Sequence, residues 1–382
     1  GGPSAARHRA GWQDAPVGGP RPRVLFVGHD ASRTGAPVVG LAFVRWLAAR
    51  GVADLGIALL GPGPLEPDYR RVAPTTVLPG RHWVLDALAQ RAPFTRVRRP
   101  RPSGADPQVV VANTLASLAP AAALDAPRLV CWVHELDGVA DRVLPPARRR
   151  GLVPRVHRWV AAGPRVAEML VARWRVPADR VVTVDEFVDA PPAVLGGAGG
   201  ASGIRVLGVG ACSPRKGVDA FVATLADLSA RRPPPPAAWV GGRADTLAAR
   251  EAQCDLTRAG LGSTLRLVPE VDDLEPWWPR SGLLLHPARE DPFPLVVVEA
   301  GQRSIPVVTW DTGGAADLLR GAGLAEWVAE PVDLLGLSRR VEALLDDDDA
   351  RTAAGRALRG ATATLVADHQ ASRVWAACLD GP

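Results

Sequence analysis

The chain has 382 residues, 47% of them apolar and 22% charged, which is globular composition with length enough for two cores. The net charge of +5 is small for that length, and the arginine-rich stretches at 96–101 and 148–158 carry no interleaved aromatics. Nucleic-acid binding is therefore not expected. The cysteines Cys131, Cys212, Cys254 and Cys378 are widely separated and form no CxxC pair, so reduced thiols in a cytoplasmic protein are expected. No apolar run approaches the length of a bilayer span, and the first residues lack the apolar centre of a signal peptide. Residues 1–21 read as a flexible lead-in.

From Arg23 the chain alternates short apolar runs with helical patterns. Strands are expected at 23–28, 55–60, 109–112, 129–133, 159–162 and 181–184, with helices at 35–50, 115–124 and 164–173. Residues 189–202 form a Pro/Gly/Ala linker with little to pack. The alternation then restarts, with strands at 206–209, 238–240, 265–268, 282–285, 307–309 and 324–328. The intervening helices are expected at 218–230, 246–259 and around 295–303, and two closing helices at about 331–345 and 350–379. Strands parted by helices give parallel sheets covered on both faces. The expected class is α/β, with two Rossmann-like domains at 22–188 and 203–365 facing across a cleft. Residues 366–382 are expected to form a helix that packs back on the first domain.

Two stretches carry chemistry. Of the 45 lysine and arginine residues only one is lysine, Lys216, within Pro214-Arg215-Lys216-Gly217 between the strand at 206–209 and the helix at 218–230. A compact ammonium suits a phosphate oxygen, and free amides with the positive end of a helix dipole favour an anion at the same turn. The second stretch is Glu290-Asp291-Pro292-Phe293-Pro294-Leu295, with Glu299 further along. Its carboxylates can accept paired hydrogen bonds from sugar hydroxyls, and the amides of Phe293 to Val296 open a helix that can meet a phosphate. Trp277 and Trp278 read as packing residues.

In combination these motifs resemble those of the retaining family 4 glycosyltransferases, enzymes of the GT-B fold. The resemblance runs from about Val24 to the C-terminus. His29-Asp30-Ala31-Ser32-Arg33-Thr34-Gly35 is similar to the family's first loop, and Cys131-Trp132-Val133-His134-Glu135 to the strand end with the active-site histidine. Pro214 to Gly217 resembles the diphosphate-binding turn, and Asp291 with Glu299 the E-x7-E motif, here with aspartate in place of the first glutamate. Ala211 and Cys212 stand where many members carry a further arginine.

The resemblance implies a hexosyl transfer from a nucleotide-diphosphate sugar to a sugar, glycolipid or other hydroxyl acceptor, with retention of configuration. It implies no metal and no cofactor, the diphosphate being met by Arg215 and Lys216. Glu299 is expected at the ribose, Asp291 and Glu290 at sugar hydroxyls, and Phe293, Pro294, Leu295 and Asp272 elsewhere on the donor. His134 is expected to hydrogen-bond an oxygen near the reaction centre. His29, Asp30, Thr34, Gly35 and Asn113 are expected on the acceptor side, or in organising that loop. The expected location is cytoplasmic or peripheral at the inner membrane face. A catalytically silent sugar-nucleotide-binding protein and a sugar-nucleotide epimerase on the same scaffold are the competing readings.

Overall fold

The computed structural model describes residues 20–78, 106–189, 203–278 and 282–380. Residues 1–19, most of the expected lead-in, and 190–202, nearly all of the expected linker, lie outside the described residues. Strands β1 (Arg23–Gly28), β2 (Asp54–Leu59), β3 (Thr75–Val77), β4 (Val109–Asn113), β5 (Arg128–Val133), β6 (Arg158–Ala162) and β7 (Val181–Val184) form one parallel sheet of order β3-β2-β1-β4-β5-β6-β7. The second sheet has the order β10-β9-β8-β11-β12-β13. Its strands are β8 (Val206–Val209), β9 (Ala237–Val240), β10 (Leu265–Val268), β11 (Leu283–His286), β12 (Val307–Trp310) and β13 (Val328–Ala329). The apolar runs leave most strand residues buried, with helices on both faces.

Each sheet reverses its strand order once, between β1 and β4 in the first and between β8 and β11 in the second. Such a reversal opens a crevice at the carboxyl ends of the two strands, because their following helices leave on opposite faces. The loops after β1, β4, β8 and β11 carry the motifs singled out in the sequence.

Val24, Phe26, Val111, Val130 and Trp132 pack on one face of the first sheet against Leu41, Val44 and Leu47 of the Gly35–Arg50 helix. Ala371, Val374, Trp375 and Cys378 of the terminal Ala367–Leu379 helix join this same cluster. Burying a side chain of that size contributes roughly 1.5–3 kcal/mol, so the last helix is anchored on the first sheet rather than the second. The chain reaches it through a parallel bridge of Val188 with Val366, reinforced by Ala367 N–H donating to Val188 O at 2.9 Å.

That bridge corrects the expected helix at 350–379. Backbone groups at 365–367 bond Val188, so the helix divides into Asp348–Thr362 and Ala367–Leu379. The expected strand at 324–328 is also corrected. Residues Ala325–Trp327 form a 3-10 turn, and only Val328–Ala329 pairs with β12. The helix at 164–173 widens to a π-helix over Met169–Arg173. Strand β3 and the Gly314–Gly321 helix were not anticipated, being respectively short and small-residue-rich.

Candidate active site at the interdomain cleft

The turn after β8 is shaped by its last glycine. Gly217 adopts φ +79°, and a Cβ there would sit 1.9 Å from the carbonyl oxygen of Pro287. Only glycine meets both conditions. The turn thereby lies against the β11 loop, and Arg289 N–H donates to Arg215 O at 2.8 Å. Lys216 Nζ is ion-paired with Asp291 Oδ2, while Arg215 Nη1 donates to Glu290 O at 2.7 Å. His286 Nε2 lies 3.5 Å from the same Asp291 oxygen. Burial pushes the Asp291 carboxyl up, but Lys216 and then His286 outweigh it and hold it well below the ordinary carboxylate range.

Glu299 sits on the Leu295–Gln302 helix and lines the cleft. Burial raises its carboxyl to about 7; Arg303 opposes the rise and Glu275 adds to it. Arg303 is itself fixed by Glu275 and by the Trp278 ring, whose centroid is 4.8 Å from its guanidinium. Phe293, Pro294 and Leu295 are buried at the start of that helix and line the same cavity with Val296. The first amides of a helix have no carbonyl one turn earlier to bond, which leaves them available to an anion.

Glu290 reaches across to the first domain. Its carboxylate accepts from Gly138 N–H at 3.0 Å and Val139 N–H at 3.1 Å, capping the Asp137–Val143 helix of the opposite domain. It ties the two domains together at the edge of the cavity it lines. Asp272 is likewise engaged, 2.6 Å from Arg33 of the first domain, on the rim of an adjoining hollow. Arg165, which sequence reasoning missed, makes a third tie. Its Nε and Nη2 donate to the two carboxylate oxygens of Asp317 at 2.8 Å each, and Nη2 also meets Asp311 at 2.6 Å.

On the first domain, His29, Thr34 and Gly35 line the cavity. Burial lowers the imidazole of His29 below its usual range, against the pull of Asp30. Asp30 organises the loop, accepting from Ser32 N–H at 3.0 Å and Ser32 Oγ at 2.8 Å. Thr34 precedes the Gly35–Arg50 helix without capping it through its side chain. Asn113, at the end of β4, is fully buried and donates through Nδ2 to Ala36 O at 2.8 Å.

His134 is held from both sides. Its Nδ1 lies 2.7 Å from Glu186 Oε1 and its Nε2 lies 2.8 Å from Asn113 Oδ1. Both ring nitrogens thus have protein partners, and His134 lines the cavity. Glu186 was missed because no motif surrounds it; its position two residues past the carboxyl end of β7 is the signal that could have flagged it. Glu135 was also passed over. It accepts from Leu115 N–H and His134 N–H, and burial raises it to about 7.

The groups converge on a cavity of about 440 Å³ between the domains. Lys216, Asp291 and Glu299 line one wall, and Gly35, Thr114 and Glu186 the other. That volume is ordinary for a small-molecule site. Among the described residues no three His, Cys, Asp or Glu side chains are grouped to hold a metal ion, and no helix is long and apolar enough to cross a membrane.

Residues 203–347 match the family described as Glycosyl transferases group 1. The chain is 30% identical over 169 residues to the lipopolysaccharide core biosynthesis mannosyltransferase LpcC of Rhizobium leguminosarum bv. viciae, covering 42% of this chain and 47% of that protein. It is 30% identical over 254 residues to D-inositol 3-phosphate glycosyltransferase 1 of Catenulispora acidiphila, covering 59% and 60%. The chain thus spans about half to three fifths of these curated relatives. Among solved structures, Anabaena Alr3699/HepE in complex with UDP and glucose superposes with a TM-score of 0.74 at 18% identity, over 92% of this chain and 98% of that one. The sucrose-phosphate synthase of Thermosynechococcus elongatus gives 0.71 at 18% identity, over 93% and 98%. These likenesses identify the two-domain fold as GT-B.

Proposed function

We propose that this chain is a retaining glycosyltransferase of family 4 type, moving a hexosyl group from a nucleotide-diphosphate sugar to a hydroxyl acceptor. The observation that carries the reading is the position of Lys216. The sole lysine stands at the switch point of the second sheet, at the cavity wall, against Asp291 and beside the open amides of the Leu295–Gln302 helix. Support also comes from the match of residues 203–347 to group 1 glycosyl transferases. The UDP and glucose held by the Anabaena neighbour favour a nucleoside-diphosphate donor, and the mannosyltransferase relative favours a hexose.

In this reading the ribose lies by Glu299 and the diphosphate by Lys216, Arg215 and the amides of Phe293, Leu295 and Val296. Breaking the anomeric bond builds charge on the departing phosphate, and preorganised cations and amides stabilise that charge. No metal or cofactor is required for it. Asp291 neutralises the ammonium while the site is empty; a diphosphate that draws Lys216 away releases the carboxylate to sugar hydroxyls. The first domain, whose loops face the cavity, takes the acceptor. Action in the cytoplasm, or at the inner membrane face on a glycolipid acceptor, is part of the same proposal.

Calorimetric titration with UDP, GDP, ADP and TDP, followed by release of nucleoside diphosphate from the corresponding nucleotide sugars, tests it. Tight binding of one diphosphate with turnover of its sugar is expected. Binding without any turnover in the presence of hydroxyl acceptors would instead favour a silent sugar-nucleotide-binding protein.

A further inference from the structure

The first-domain wall of the cavity ends in a carboxyl that no motif marked. The side chains of Glu186 and His134 are each 4% exposed. Asn113 fixes where the histidine proton lies. Its Nδ2 is committed to Ala36 O, so its Oδ1 is the atom facing His134 Nε2, and an acceptor there requires a proton on Nε2. At the opposite side the 2.7 Å contact of Nδ1 with Glu186 Oε1 holds a single proton. Whether that proton sits on nitrogen, as an imidazolium–carboxylate pair, or on oxygen, as a neutral pair, the two groups together carry no net charge.

The second oxygen of Glu186 is differently situated. Among the described residues nothing donates to Oε2. The residue facing it is Gly35, where even an ideal Cβ would stop 3.9 Å away. With no side chain at Gly35 that approach to Oε2 is not filled, and Glu186 lines the cavity together with Gly35, Lys216 and Asp291. Burial pushes the Glu186 carboxyl up, His134 pulls it down, Asp291 adds to the rise and Lys216 opposes it. A lone carboxylate on this wall would repel a diphosphate; one that shares a proton with His134 does not.

We infer that Glu186 is a substrate-contacting residue of this wall: Oε2 accepts a hydrogen bond from a substrate hydroxyl, while His134 and Asn113 hold the carboxyl in position. The inference rests on the glycosyltransferase reading and deepens it. The hydroxyl belongs either to the transferred sugar or to the acceptor, and both present the same donor to Oε2.

The test compares Glu186→Gln and Glu186→Ala with the wild type. Glutamine can donate to His134 Nδ1 and offer an amide oxygen in place of Oε2, keeping the histidine oriented but losing the carboxyl; alanine loses both contacts. The probes are whichever of UDP, GDP, ADP or TDP binds the wild type, and its glucose and mannose derivatives. Diphosphate affinity is expected to stay within about twofold in both variants. Turnover is expected to fall about tenfold in the glutamine variant and about a hundredfold or more in the alanine variant, the order of one lost transition-state contact. Loss of donor hydrolysis and transfer alike assigns the hydroxyl to the sugar, and loss of transfer alone assigns it to the acceptor; either result supports the inference. Equal turnover in His134→Ala and in the His134→Ala, Glu186→Ala double variant would make Glu186 a mere prop for His134 and overturn it. Normal turnover in both single Glu186 variants would overturn it as well. A wild type that binds no diphosphate and turns over no nucleotide sugar would instead remove the glycosyltransferase reading, and this inference with it.

Discussion

Lys216 Nζ and Asp291 Oδ2, 75 positions apart in sequence, form an ion pair at the mouth of the crevice in the second sheet. Lys216 remains partly exposed to the cavity, whereas Asp291 is buried. Replacing Lys216 with alanine is expected to lower nucleotide-sugar turnover by about 10²–10³, the loss of about 2.7–4 kcal/mol of charge stabilisation. Far-ultraviolet circular dichroism should remain that of the wild type. Undiminished turnover in the folded variant would remove the leaving-group role.

Glu299 gives a prediction in pH. Burial pushes its carboxyl up to about 7, and only the ionised form accepts paired bonds from a ribose diol. Diphosphate affinity is expected to rise as pH increases from 6 to 8, and to flatten in Glu299→Gln. Glu299→Ala should weaken binding by roughly ten- to a hundredfold, since a charge-assisted bond is worth about 1.5–3 kcal/mol. Calorimetry at the two pH values reads both effects, and an unchanged dissociation constant removes the ribose contact.

Glu290 predicts domain closure rather than chemistry. Glu290→Ala uncaps the amides of Gly138 and Val139, a loss of about 0.5–2 kcal/mol held between the domains. Combined with Arg165→Ala it should raise the radius of gyration of the empty protein in small-angle scattering. A double variant as compact as the wild type would deny these contacts a closing role.

Gly217→Ala forces a side chain into φ +79° and against Pro287 O. The backbone alone costs about 1–3 kcal/mol, and the collision displaces the turn that carries Lys216. A lower melting temperature together with lost diphosphate binding is expected. Retention of both in thermal and calorimetric measurements would argue against the geometry of this turn.

Glu135 contributes to stability with a definite sign. Its carboxyl is raised from 4.5 to about 7 by burial, so the folded chain binds its proton more tightly than the unfolded chain. That stabilisation is fully present below about pH 4.5 and is lost as pH rises through 7, amounting to on the order of 3 kcal/mol. Denaturant unfolding between pH 5 and 8 should show a shallower decline in Glu135→Gln than in the wild type. Equal slopes would mean that Glu135 does not hold its proton in the folded protein.

Much of the fold was legible because its signals are local. Val24–Val27 within Arg23–Gly28 is an unbroken apolar run closed by glycine, Val206–Val209 is apolar around Gly208, and Gly35–Arg50 was readable to the residue. The break at 363–366 was not legible, since nothing in Leu365 or Val366 announces that they will pair with Val188. Likewise, Trp278 read correctly as a packing residue, while the guanidinium of Arg303 laid over its ring could not be foreseen.

The sequence by itself determined two parallel α/β sheets and the residues that its loops bring to their carboxyl ends, Lys216, Asp291 and Glu299 among them. Periodicity, glycine turns and a single lysine among arginines are written along the chain and act over a few residues. Only the tertiary structure decided which polar groups remain free. It engaged Glu290 with the opposite domain and both nitrogens of His134 with Asn113 and Glu186, and it brought Glu186 to the cavity lining. A hydrogen bond depends on where two distant atoms meet, and chain folding sets that distance rather than residue type.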